Sequence, residues 1–290
     1  MSNTYIKTFW KEQNNLAKLL IVNVAVFVVI VLLKAIFFLF GSPQIADAIV
    51  RFFSMPASLG KLLFKPWTPF TYMFLHEDFW HILGNMLWLF FLGQLFVMHI
   101  SDRHVWRVYL LGGLAGALMF LVVYNIFPAF AQVRNFSVIL GASAAVSAIV
   151  IAITVYKPKE VIYLFGILAM PLWLLGALYV LFDLAMLPVD NSGGHIAHLG
   201  GALFGLWFAL QYKKGKDITS FMDGWKNPFK KKSKMKVVKN SFRPGDYEYN
   251  ESKHTIEEEI DRILEKISKH GYKSLTRKER EFLKKYSRYQ

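Results

Sequence analysis

The sequence predicts an all-α membrane protein built as a bundle of six transmembrane helices. Of the 290 residues, 54% are hydrophobic and 16% are aromatic. The apolar residues form long blocks before about residue 212 rather than amphipathic patterns. Six blocks are long enough, or nearly so, to cross a bilayer as helices: 16–40, 79–100, 106–127, 138–156, 161–183 and 195–212.

The lengths of the blocks and of the segments between them refine this expectation. Block 16–40 is too long for a signal peptide and no small-residue cleavage site follows it, so we expect it to remain in the mature protein. The fourth and sixth blocks are short, so their ends are expected to rest against protein rather than lipid. Between the first two blocks, Ile45, Phe52 and Phe53 predict a segment lying in the outer membrane interface.

Positive charge predicts the orientation and one partner. The short loops rich in Lys and Arg lie on the side of both chain ends, which are therefore predicted to be cytoplasmic. The net charge is +14, and residues 213–243 carry eleven Lys or Arg against two Asp. Because this stripe directly follows a membrane helix, it favours contact with anionic lipid head groups over nucleic acid.

Four regions are predicted: a cytoplasmic N-terminus (1–15), the membrane-embedded domain (16–212), a basic linker (213–250) and a small helical cytoplasmic tail (251–290). In the tail, capping boxes at Thr255 with Glu258 and at Thr276 with Glu279 predict two helix starts. Gly271 stands where the first of these helices should end. The tail is therefore predicted to be a helical hairpin.

Polar residues interrupt three of the apolar blocks at one depth. With a cytoplasmic N-terminus, the second, fourth and sixth blocks all run from outside to inside. At about 1.5 Å per residue, their polar groups lie within roughly 10 Å of the outer edge. They are His81, Asn85, Ser143, His195 and His198. Intramembrane His and Asn are costly, so this convergence favours a functional site over simple helix contacts.

Ser143 and His198 are suited to nucleophilic catalysis. Small neighbours leave the Ser143 hydroxyl uncrowded, and His198 shares one helix face with Gly201 and Gly205, which permit close packing. An imidazole beside the hydroxyl would remove its proton and later protonate a leaving amine.

The remaining polar groups receive narrower roles. His81, Asn85 and the Ser143 backbone N–H are candidate donors to an oxyanion. No acidic residue is clearly placed to orient His198, because Asp183 and Asp190 are distant along the chain, so a dyad is predicted. Ser147 is expected to bond the carbonyl four residues earlier or to join two helices.

These motifs resemble those of the rhomboid family of intramembrane serine proteases. The resemblance covers roughly residues 15–212 and rests on PWTPFTYMFLHEDFWHILGNMLWLFFLG (66–93), GASA (141–144) and AHLGGALFG (197–205). It implies a six-helix core with Ser143 as nucleophile and His198 as general base. It also implies that His81 and Asn85 stabilise the oxyanion and that His76 is structural.

Two positions depart from the family pattern. Ala144 stands where the usual motif has glycine, and Ser147 stands where some members carry an aromatic residue. The resemblance further implies that the substrates are other membrane proteins, cleaved within or just outside a transmembrane segment. Pro171 and the aromatic residues of the fifth block would allow lateral substrate entry. No cofactor or metal is expected.

The sequence leaves three other functions open. A zinc protease would use His76 and His81, but these lie five residues apart, about 140° around a helix. His195 and His198, together with His76 or His81, would form another metal site. A catalytically silent rhomboid-like protein that binds membrane clients is favoured mainly by Ala144. A transporter using His as a proton relay is disfavoured, because acidic residues are nearly absent from the helix interiors.

Overall fold

A computed structural model of the protein describes residues 13–164, 167–224 and 259–286. The chain divides into two compact units, Met1–Pro228 and Phe229–Gln290. The helices of the first unit are α1 (Asn15–Leu39), α2 (Pro43–Phe53), α3 (Leu59–Leu63), α4 (Thr68–Thr71), α5 (Phe79–His99), α6 (Arg103–Ile126), α7 (Ser143–Tyr156), α8 (Leu172–Met186) and α9 (Ser192–Lys213).

Two short antiparallel strand pairs join these helices at their ends. Strand β1 (Met55–Pro56) pairs with β2 (Val138–Ile139). Strand β3 (Val161–Leu164) pairs with β4 (Leu168–Pro171) as a hairpin directly before α8. Every other regular element of the described part of this unit is helical, which confirms the predicted all-α membrane class.

Short polar side chains mark the starts of three helices. Asn14 accepts a hydrogen bond from the N–H of Ala17 at 2.8 Å and begins α1. Asp78 accepts from the N–H of His81 at 3.0 Å and begins α5. Asn191, with a positive φ of 43°, accepts from the N–H of Gly194 at 3.2 Å and begins α9. These bonds satisfy N–H groups that have no partner within the helix.

Helix α7 occupies the centre of the bundle. It packs against α5, α6, α8 and α9, and every residue from Ala144 to Thr154 is buried. The helix has 14 residues, fewer than the ~20 needed to cross a bilayer. The body of the helix therefore rests in protein, while Ser143 at its start is only partly buried; that both ends rest against protein stays a prediction.

Within the described residues, three helices are long and apolar enough to cross a membrane: α1, α5 and α6. Helices α7 and α8 are shorter apolar helices, and α9 has 22 residues that include the two histidines. The chain is an integral membrane protein, while a total of six spans stays a prediction.

The fifth block does not form the continuous helix predicted for residues 161–183. Its first part is the β3–β4 hairpin, and helix α8 begins only at Leu172. Pro171 explains the boundary, since proline disfavours helical backbone at the residue before it and lacks an N–H for a helical hydrogen bond. The fourth block, predicted as a helix over 138–156, also differs. Residues 138–139 form β2, and the helix starts only at Ser143.

Helix α2 is the segment predicted to lie in the outer interface. Ile45, Phe52 and Phe53 are exposed on it, and Ala46 is buried. Exposed Leu63 and Phe64 follow in and after α3. Apolar surface of this kind is typical of a helix lying in a membrane interface. The location of α2 in the outer interface stays a prediction.

The segment after α9 folds back onto the start of α6. The Asp217 carboxylate contacts the buried ring of His104 at 2.9 Å and the Arg103 guanidinium at 3.3 Å. Partial burial raises the pKa of Asp217, but hydrogen bonds from the Thr219 hydroxyl and from His104 outweigh it and lower the pKa to about 2. Asp217 is therefore a stable anion at neutral pH.

The second unit contains helix α10 (259–270) and helix α11 (Arg277–Tyr286). Gly271, with a φ of 75°, ends α10, and its N–H donates to the carbonyl of Ile267 at 2.8 Å. The predicted capping box is formed: Glu279 accepts from the N–H of Thr276 at 2.7 Å. The box at Thr255 and Glu258 and most of the basic linker lie outside the described residues.

Candidate active site

Ser143 is the first residue of α7, and a glycine with unusual backbone geometry positions it. Gly141 has a φ of 128°, which side-chain-bearing residues rarely adopt. Its N–H donates to the carbonyl of buried Tyr72 at 2.9 Å, which fixes the chain just before the helix. Ser143 itself is only partly buried. The hydroxyl therefore stands at the open N-terminal end of an otherwise enclosed helix.

His81 of α5 lies beside this turn. A Cβ atom placed on Gly141 would lie 2.7 Å from Nε2 of His81 and 3.5 Å from Oγ of Ser143. The imidazole and the hydroxyl thus face the same small space, which is open because residue 141 has no side chain. The structure brings together these two residues, which lie on different helices.

Helix α9 is docked on α7 by backbone contact. A Cβ on Gly201 would lie 1.9 Å from the carbonyl oxygen of Ala144, and one on Gly205 would lie 2.2 Å from that of Ala148. Both contacts advance by four residues, so the two helices run parallel. His198 lies one turn before Gly201, and Ser143 directly precedes Ala144. His198 and Ser143 therefore lie within about one turn of each other along the two helix axes, and no hydrogen bond joins their side chains among the described residues.

His198 and His195 share one carboxylate of α8. Nδ1 of His198 and Nδ1 of His195 each lie 2.8 Å from Oδ1 of Asp183. The Asp183 side chain is 3% exposed, against 18% for His198 and 11% for His195. Oδ2 of Asp183 is buried without a hydrogen-bond partner among the described residues. One carboxylate oxygen thus orients both rings.

This arrangement determines which nitrogen of His198 is free. An ionised carboxylate can only accept, so the proton of the neutral ring lies on Nδ1 and is donated to Asp183. Nε2 then keeps its lone pair, as a general base requires.

Asn85 and His76 are placed differently from His81. Asn85 is buried one turn deeper in α5, and its side-chain amide donates to the carbonyl of His81 at 2.9 Å. No hydrogen bond between Asn85 and Ser143 is found among the described residues. His76 is fully buried, and its ring meets that of His81 edge-on with centroids 5.2 Å apart. This packing accords with a structural role for His76.

Ser147 and Ala144 are turned away from the open end of α7. Ser147 Oγ donates to the carbonyl of Ser143 at 2.8 Å and lies 2.7 Å from the Tyr179 hydroxyl of α8. Both predicted contacts of Ser147 are therefore formed. The methyl group of Ala144 packs towards Gly116 of α6, where an added Cβ would lie 2.6 Å away. That methyl group faces the protein interior.

The expectation that no acidic residue orients His198 is wrong, because Asp183 does so. A signal was present in the sequence, since an acidic residue within an apolar helix is rare and usually functional. Its partners are 12 and 15 residues away, beyond the end of α8. Spacing along one helix could not identify them.

The family follows from comparison of the sequence with known proteins. A rhomboid domain model matches residues 63–214, which include the site and more than half of the chain. The chain belongs to the rhomboid family. A second model, for a family of unknown function (DUF6576), matches residues 246–289 of this rhomboid.

Named relatives of this rhomboid are mitochondrial proteins. RHOMBOID-like protein 12 of Arabidopsis thaliana is 29% identical over 51% of this chain and 47% of its own length. The presenilin-associated rhomboid-like proteins of Bos taurus and Homo sapiens are each 28% identical, over 60% of this chain and 44% of their own lengths. The chain therefore spans about half the length of the curated relatives it matches.

Proposed function

We propose that this rhomboid is an intramembrane serine endopeptidase that cleaves peptide bonds in or next to transmembrane segments of other membrane proteins. The observation that carries the proposal is the docking of α9 on α7 through Gly201 and Gly205. It supports the proposal because it brings α9, with an imidazole oriented by a carboxylate, against the start of α7, where a hydroxyl is partly exposed. A lone membrane serine that only joins helices needs no such partners.

The chemistry follows from the free nitrogen of His198. Nε2 removes the proton from Ser143 as Oγ attacks the scissile carbonyl carbon, which forms a tetrahedral oxyanion. The resulting imidazolium gives its proton to the departing amine, and the acyl group stays on Ser143. Water then attacks this ester with His198 again as base, and the carboxylic acid product leaves. Asp183 acts as a positioning residue throughout.

The oxyanion requires donors near Ser143. His81 shares the space beside Gly141 with the hydroxyl, and the first N–H groups of α7 have no partners within the helix. These N–H groups also form the positive end of the helix dipole. Asn85 supports the site through its bond to the backbone of His81, and its second amide hydrogen remains to be donated.

Ala144 does not argue for a silent protein. Its methyl group is buried against α6, so it leaves the space in front of Ser143 open. The position thus tolerates alanine because its side chain points away from the reacting atoms. This removes the feature that favoured the client-binding alternative.

Labelling with a serine-directed fluorophosphonate in detergent tests the proposal. Ser143→Ala should abolish labelling, and His198→Ala should slow it by at least about 100-fold, the lower range for loss of general-base catalysis. Ser147→Ala is the matched control for Ser143, because it removes a hydroxyl from the same helix. His195→Ala is the comparator for His198→Ala, and it should slow labelling much less.

Two outcomes would contradict the assignment. Labelling that persists in the Ser143→Ala protein would identify another nucleophile. Wild-type protein that never labels, although folded, would return weight to client binding. Cleavage of a reporter transmembrane segment, lost in Ser143→Ala, would complete the test and identify the substrate class.

We further propose that both chain ends lie in the cytoplasm of a bacterial cell, with the basic linker against anionic lipid. The sequence has no cysteine, so one introduced thiol reports on topology. Exposed Lys214, after α9, and exposed Asn135, between α6 and α7, should lie on opposite sides. A membrane-impermeant maleimide added to intact cells should label Asn135→Cys and spare Lys214→Cys; the reverse pattern would invert the orientation.

A further inference from the structure

Three metal-ligating side chains lie together at the site: Asp183, His195 and His198. The three ligand atoms, one from each residue, all lie within 4.8 Å of one another. Each His nitrogen is 2.8 Å from the same carboxylate oxygen. Two ligands held at about 2.0 Å from Zn²⁺ in tetrahedral geometry are separated by roughly 3.3 Å. The longest separation among the three atoms, at most 4.8 Å, would have to shorten by up to about 1.5 Å.

A second observation points to a missing partner at this position. Oδ2 of Asp183 is buried and has no hydrogen-bond partner in the part of the chain that the structure describes. Buried carboxylate oxygens are normally satisfied, because an unpaired one is costly. Both rings contact Oδ1, so a cation between them would satisfy Oδ2 only if the carboxylate binds it through both oxygens. Two imidazoles and one carboxylate are a ligand set that suits Zn²⁺ and leaves one position open.

We propose that Asp183, His195 and His198 bind Zn²⁺ and that this binding inhibits the protein. Inhibition rests on the proposed function, whereas binding does not. Zn²⁺ coordinated by Nδ1 of His198 takes the position that its proton held towards Asp183. The neutral ring then carries its proton on Nε2, which can donate but no longer accept. Ser143 loses its base although the metal never touches the hydroxyl.

This mechanism differs from a catalytic zinc site. The metal ligand and the general base are the same imidazole, so metal and base exclude one another. The metal site depends on His195, because His198 and Asp183 alone offer only two ligands. Partial exposure of the His198 and His195 side chains, 18% and 11%, gives the ion an entry path.

The experiment measures binding and reactivity separately on purified full-length protein in detergent, stripped of metal with EDTA and then dialysed. Equilibrium dialysis should find one Zn²⁺ per chain bound at this site. His195→Gln and Asp183→Asn should each weaken that binding by at least about 100-fold, since even loss of an outer-shell partner costs roughly 10–100-fold. His99→Gln, at the far end of α5, is the matched control and should bind as the wild type does.

Fluorophosphonate labelling then tests inhibition. Zn²⁺ should slow labelling of wild type and of His99→Gln at least tenfold, with recovery on adding EDTA, while Mg²⁺ should have no effect. Labelling of His195→Gln should be the same with and without Zn²⁺. Gel filtration of each variant confirms that it is folded.

Distinct results would overturn the proposal. Zn²⁺ binding that survives both His195→Gln and Asp183→Asn places the metal elsewhere. Binding at the site without slower labelling refutes inhibition, and labelling abolished by EDTA shows a metal that is required instead. If no protein labels at all, the proposed function fails, yet the dialysis result still decides whether the site exists.

Discussion

Helices α1 and α7 are similarly apolar, yet they stand in opposite environments. In α1 the buried residues are Leu16, Leu19, Asn23 and Ile30, and exposed Val, Leu, Ile and Phe side chains cover much of the rest. In α7 every residue from Ala144 to Thr154 is buried. Hydrophobicity therefore predicts that a helix lies in a membrane, whereas small side chains predict that it lies at the centre of the bundle.

Among substitutions that test this difference, Gly201→Leu should have the largest effect on stability. The added side chain would begin 1.9 Å from the backbone oxygen of Ala144, and a backbone atom cannot move aside without separating α9 from α7. We expect a loss of more than about 3 kcal/mol, beyond ordinary overpacking, seen as aggregation in gel filtration and a lower melting temperature.

Gly84→Ala is the matched control for this substitution. It also lies in a membrane helix, but an added Cβ would meet nothing within 4 Å. The alanine should leave stability unchanged or raise it by about 0.5–1 kcal/mol, because it restricts the unfolded chain. A Gly201→Leu protein that melts with the wild type would show that α7 and α9 do not depend on close contact.

A smaller effect is expected from the polar bridge between α7 and α8. Ser147 donates its hydrogen to the carbonyl of Ser143, so the Tyr179 hydroxyl donates to Ser147. Tyr179→Phe and Ser147→Ala should each cost about 0.5–1.5 kcal/mol. In a double-mutant cycle measured by thermal unfolding, the two losses should not add. Additive losses would mean that the bridge contributes nothing.

The smallest effect is expected on the outward face of α1. Leu32 is 56% exposed on this face. Because lipid tails are as apolar as leucine, they can fill the space left by the shorter side chain, and Leu32→Ala should cost less than about 0.5 kcal/mol. Leu19 of the same helix is fully buried, and Leu19→Ala should cost about 2–5 kcal/mol. Equal melting temperatures for the two variants would contradict the assignment of the outward face.

Local patterns in the sequence predicted much of this structure. Helix α5 begins at Phe79 and the capping box of α11 forms, because both features depend on neighbours a few residues away. The Ser147 bond to the carbonyl four residues earlier belongs to the same class. The long apolar blocks predicted membrane helices, because backbone polar groups in lipid must be bonded internally and a helix bonds them within one segment.

Other features depended on contacts that no single block contains. The β3–β4 hairpin is as apolar as a helix, and only Pro171 marks its end. Asp183 meets His195 and His198 across the turn between α8 and α9, a contact set by how these helices pack. His81 and Ser143 border one small space beside Gly141, where the backbone turns with a positive φ. Such contacts follow from the assembled bundle.

The parallel contact of α7 and α9 has a consequence for the lipid environment. When a bilayer becomes thinner or thicker, helices respond by tilting, and two helices joined along their backbones must tilt as one body. The spacing between Ser143 and His198 should then be independent of acyl chain length, even where substrate delivery from the lipid phase depends on it.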